Sequence, residues 1–131
     1  MPLFFILSFF LISIPTQAQN IQKMTDAEQL GMMAGLAAAC GSTKKLEDFE
    51  LISARLLANS SPTEENEKQK IWKYMSAKWN AMQRQQKEVP VPCAEVLEHF
   101  NQLPLFQSIV YSDGSVKLPD DTWSRPLRPL K

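Results

Sequence analysis

Cys40 and Cys93 constrain this 131-residue chain more than any other feature, because a covalent link between them returns the polypeptide to itself after about 53 residues. In a reducing compartment two such thiols stay apart. In an oxidising one they pair, and with a single pair the connectivity is unambiguous. The N-terminus, MPLFFILSFFLISIPTQAQN, points to the second case. Leu3 to Ile14 is apolar except for Ser8 and Ser13, Pro15 interrupts it, and Thr16-Gln17-Ala18 makes a small-x-small cleavage site. Residues 1–18 read as a signal peptide cut after Ala18, although no Lys or Arg precedes the apolar run. The run is shorter than the about 20 apolar residues that span a bilayer, and no later segment approaches that length. The mature chain is therefore expected to be exported, periplasmic or secreted, with no transmembrane segment and with Cys40 bonded to Cys93.

The mature chain is long enough for one domain and not two. Its 14 basic and 14 acidic residues balance to a formal charge of zero, and no basic cluster stands out. Nucleic acid is excluded as a partner class, because phosphate recognition needs concentrated positive charge.

Helix signals punctuate residues 19–118, the expected domain. Thr25-Asp26-Ala27-Glu28 has the form of a capping box. Leu30, Met33, Ala37 and Cys40 then repeat on one face of a helix that Gly41 ends. Gly31 and Gly35 thin this helix at about 1 kcal/mol each against alanine, which predicts close approach by a neighbour. A second helix fits Lys44 to Ala58, with Leu46, Phe49, Ile52, Leu56 and Leu57 on its apolar side. Ser61-Pro62-Thr63-Glu64 starts a third that runs to Lys87, with Trp72, Met75, Trp79 and Met82 expected in the core and a polar first two turns expected to project. After Val89-Pro90-Val91-Pro92 a fourth runs from Cys93 to Leu103, with Val96, Leu97 and Phe100 inward.

Beyond Pro104 the pattern changes to a β-hairpin around Asp113-Gly114, and residues 119–131 read as a proline-rich flexible tail. The expected fold is mainly α: a small four-helix up-down bundle with one disulfide, a short C-terminal β-hairpin and an extended tail. If consecutive helices alternate direction, Cys40 at the end of the first and Cys93 at the head of the fourth meet at one end.

Catalytic templates are sparse. The only histidine, His99, lies six residues past Cys93 on another helix face, too far for direct proton transfer. Glu95 and His99 stand at i,i+4 and offer two metal ligands, but a catalytic zinc site needs a third, and no second histidine exists. Most acidic residues fall at helix starts, where capping explains them. The sequence thus predicts no catalytic residues, no cofactor and no metal, and a protein that acts by contact with a protein partner of the envelope or extracellular space. Candidate surface residues are Glu64, Glu65 and Lys68 on the third helix, Tyr74 off its apolar stripe, and Tyr111, Trp123, Arg125 and Arg128 near the C-terminus. Two alternatives stand beside this: a stress chaperone-like binder of the periplasm, and a small metal-dependent or hydrolytic enzyme using Glu95 and His99.

Overall fold

The computed structural model describes residues 26–87 and 91–129. The expected signal peptide and its cleavage site lie outside the described residues, as does Thr25. Four helices form the body: α1 (Ala27–Ala39), α2 (Lys44–Asn59), α3 (Glu64–Lys87) and α4 (Cys93–Asn101). A 3₁₀ turn at Pro104–Gln107 leads into three short strands, β1 (Ile109–Val110), β2 (Val116–Lys117) and β3 (Trp123–Ser124). Among the described residues no helix is long and apolar enough to cross a membrane.

Asp26 caps α1, its carboxylate accepting the backbone N–H groups of Glu28 and Gln29 at 2.9 and 3.1 Å. Gly41 ends the helix at φ 88°, which lets the Gly41 and Ser42 N–H groups reach the Ala38 and Ala37 carbonyls. Thr63, rather than Ser61, caps α3: its hydroxyl accepts the Asn66 N–H at 3.1 Å. The Ser61 hydroxyl instead donates to the Leu57 carbonyl at 2.7 Å.

The largest helix contact joins α1 to α3. Gly31 faces the Tyr74 carbonyl and the Ala77 methyl, and Gly35 faces the Lys78 carbonyl and the Ala81 methyl. A Cβ built on Gly31 would stand 3.0 Å from that of Ala77, and one on Gly35 2.8 Å from that of Ala81, with the carbonyl oxygens closer still. The partners climb together along both chains, so α1 and α3 lie side by side in the same direction. Backbones approach this closely only where side chains are absent or a single methyl.

That requirement overturns the expected orientation of α3. Its inward face carries Ala77, Ala81 and Tyr74, the last 8% exposed, while Trp72, Met75 and Trp79 are 70%, 61% and 60% exposed. The bulky stripe cannot enter the α1 seam, because the seam has room only for methyl groups. The main core forms elsewhere, around Leu30, Phe49, Leu56, Leu57, Leu105 and Val116. Phe49, Phe100 and Phe106 meet there with ring centroids 5.1 to 6.1 Å apart. Cys40 and Cys93 form the expected disulfide, with their Cα atoms 5.3 Å apart. Gln85 fastens the approach to it, Nε2 donating to the Val91 carbonyl at 2.6 Å and Oε1 accepting the Val91 N–H at 3.3 Å.

The C-terminal region differs from the expected hairpin and free tail. Residues 123–124 add a third strand, so the sheet is antiparallel in the order β1-β2-β3, with Val116 opposite both Val110 and Ser124. The second turn is made by Asp121 at φ 67° and by Asp120, whose carboxylate accepts from the Thr122 N–H and hydroxyl. Two anchors tie this sheet and its extension to the helices. Asn59, the buried last residue of α2, donates from Nδ2 to the carbonyls of Gly114 at 2.8 Å and Ser124 at 3.1 Å. Arg128 donates to the Ser61 carbonyl at 3.1 Å and to the Glu67 carboxylate at 2.6 Å. Asn59→Ala would leave carbonyls without their donor, at a cost of about 1–3 kcal/mol. Urea unfolding should register a loss near 2 kcal/mol on that scale; a change within experimental error would show that the sheet does not depend on this amide.

Candidate functional site

The face of α3 turned away from α1 is where the molecule is least complete. Between α2 and α3 lies a groove of about 740 Å³, lined by Ala54 and Leu57 from α2 and by Ile71, Met75, Trp79 and Met82 from α3. Its walls are almost wholly apolar, and Met75 and Trp79, which line it, continue with Trp72 as an exposed row on α3. Methionine adapts its shape to what it touches, and tryptophan supplies a large rigid surface, a combination suited to binding apolar side chains.

One polar cluster interrupts the groove and holds its helices together. Glu50 of α2 accepts the Tyr74 hydroxyl at 2.8 Å and the Lys78 ammonium at 2.9 and 3.0 Å, both donors coming from α3. Burial, reinforced by the hydrogen bond to the Glu50 carboxylate and its charge, pushes the Tyr74 phenol far above the ordinary tyrosine range. The phenol therefore stays protonated and committed as a donor across physiological pH, which makes it a strut between helices and no acid–base catalyst. The sequence places Tyr74 on a recognition surface; it is buried, bonded to Glu50, and lines the groove.

The remaining candidate residues fall into three groups. Tyr111 and Trp123 stack across the sheet at 5.2 Å with their planes tilted by 37°, and the Arg125 guanidinium sits 4.9 Å from the Trp123 ring centre. This exposed aromatic and cationic patch joins three of the expected positions. Beside its turn, the Asp113 carboxylate accepts the Ser115 N–H at 2.9 Å, which holds its pKa below the ordinary aspartate value. Arg128 sits apart, over Glu67, in a shallow hollow of about 300 Å³ that Glu64, Arg55 and Pro129 also line. Glu65 and Lys68 are exposed on the first turns of α3. Those turns do not project freely as expected: Lys70 donates to the Ser60 carbonyl at 2.8 Å and Arg128 holds Glu67, so the start of α3 is docked.

Glu95 and His99 are exposed on α4 at the edge of a cavity of about 310 Å³ whose other walls include Met33, Leu36 and Phe100. Among the described residues no set of three or more His, Cys, Asp or Glu side chains is gathered where a metal ion could be held. The residues missed by pattern reading are Trp72, Ile71, Met75, Trp79 and Met82. The signal that marks them as outward is the second small-residue pair, Ala77 and Ala81, spaced like Gly31 and Gly35. No protein-family model, curated protein or solved structure matches this chain.

Proposed function

We propose that this chain is an exported binding protein that acts through protein–protein contact, and that the α2–α3 groove with the exposed Trp72–Met75–Trp79 row of α3 is the contact surface. The observation that carries the reading is the exposure of two tryptophans and a methionine in line beside an apolar groove. Contiguous exposed apolar surface of this kind is uncommon on monomers and marks interaction sites. Spacing of three and four residues along one helix suits an apolar stripe on another helix. The disulfide and the lack of a membrane-spanning helix among the described residues are compatible with export of a folded domain. We take the helices as an up-down bundle, a reading supported by α1 lying parallel to α3 and by Glu50 of α2 meeting Tyr74 and Lys78 of α3. Neither Glu95 nor His99 is given a catalytic step.

A photo-crosslinking residue at Met75, compared with one at Asp48 on the far side of α2, tests the surface in the cells that make the protein. A discrete adduct from position 75 and none from position 48 is the expected outcome. Equal labelling from both, or none from either, would remove the groove as the contact site.

A further inference from the structure

The outward face of α3 has a pattern that is complementary to itself. Trp72, Met75, Trp79 and Met82 alternate along one seam at the three-and-four spacing of a helix that packs against another helix. α3 is 24 residues long, about 36 Å at 1.5 Å per residue, and α1 covers only the opposite side. Its ends differ in charge: Glu64, Glu65 and Glu67 lie in the first turn and Arg84 and Lys87 in the last, with Lys68, Lys70, Lys73 and Lys78 between them. Two such helices laid antiparallel bring the acidic first turn toward the partner's Lys87 and oppose their macrodipoles, whereas a parallel pair sets the two acidic turns together. The chain's formal charge of zero removes the long-range repulsion that keeps many proteins apart.

We propose that this seam pairs antiparallel with the same seam of a second copy of the chain, forming a two-fold symmetric homodimer. In that register Trp72 lies beside the partner's Met82 and Met75 beside the partner's Trp79, giving four sulfur–aromatic layers across the axis. Lys68 then faces the partner's Gln86. The inference rests on the reading of this face as a protein-docking surface. Because self-pairing covers the exposed row, dimer formation and capture of another protein exclude one another, and the dimer is the form that keeps the tryptophans out of water.

Sedimentation velocity over a range of concentrations reads the dimer directly, on the full exported chain with its disulfide intact. Reversible dimerisation is expected, weakened on the order of 30-fold by W72E or W79E, since buried tryptophans act as interface hot spots. Both sites are exposed in the single chain, so at concentrations where the parent is monomeric the variants should melt like it. Orientation is read with K68C and Q86C chains, which keep the seam, and a short bis-maleimide that leaves Cys40–Cys93 untouched. The mixture should cross-link and neither chain alone should. A monomer at every concentration, cross-linking of K68C to itself, or a dimer indifferent to W72E and W79E would each overturn the proposal. Co-sedimentation of a monomer with phosphatidylglycerol vesicles would overturn it in favour of a lipid surface. A monomer whose position-75 probe still marks a different protein overturns self-pairing alone. A monomer with no adduct removes the docking surface as well.

Discussion

Gly35→Ala is expected to lower stability by about 2 kcal/mol even though alanine is the better helix former. In an exposed helix the exchange gains about 1 kcal/mol. Here the new methyl would overlap the Lys78 carbonyl oxygen and stand 2.8 Å from the Ala81 methyl. A Cβ has no rotamer by which to escape, and a backbone carbonyl inside α3 moves only with the helix, so α1 and α3 must separate at a cost of about 3 kcal/mol. Gly31→Ala meets the Tyr74 carbonyl in the same way and should act in the same direction. Chemical denaturation of the two variants measures the effect. The double variant Gly35→Ala, Ala81→Gly should recover little, because it leaves the carbonyl in place. Unchanged or raised stability in Gly35→Ala would show that α1 and α3 are not in backbone contact at this seam.

Loss of the disulfide should be larger. Replacing both Cys40 and Cys93 by alanine frees a loop of about 53 residues and removes about 4 kcal/mol on the chain-entropy account. For a domain of this size that corresponds to a fall in melting temperature on the order of 15 °C. The structure adds a local reason: the bond holds the head of α4, whose Phe100 packs on Phe49 and Phe106 in the core. Far-ultraviolet circular dichroism on heating, with and without reductant, reads the difference. A double-alanine variant that melts within a few degrees of the parent would mean that the core holds α4 unaided.

Much of the helical frame was legible in the sequence, because its signals are local. Gly41 and the prolines flanking Val91 mark chain breaks, and the meeting of Cys40 with Cys93 follows from where those breaks fall. The orientation of α3 was not legible from apolar bulk, since Trp72, Met75 and Trp79 carry far more apolar surface than Ala77 and Ala81. Close packing chose the methyl face instead, and only the matched spacing of the two small-residue pairs records that choice. The third strand was hidden for a different reason. Two-residue strands have no alternation to detect, and the contacts that hold Trp123–Ser124 in place run from Asn59, 65 residues away in sequence from Ser124. Asn59 itself looks like part of a polar loop in Asn59-Ser60-Ser61, and its role emerges only when three distant segments converge.

The disulfide also decides what a protease can separate. It closes a ring that contains all of α2 and α3, with the turns at 41–43 and 60–63 as its corners. A cut at either corner opens the ring and leaves a single covalent molecule, its two new ends joined through Cys40 and Cys93. A cut in the segments outside the ring, before Cys40 or after Cys93, severs a terminal piece that no sulfur bond retains. Where proteases are present, the groove-bearing helices are thus the part of the chain that one backbone break cannot set loose.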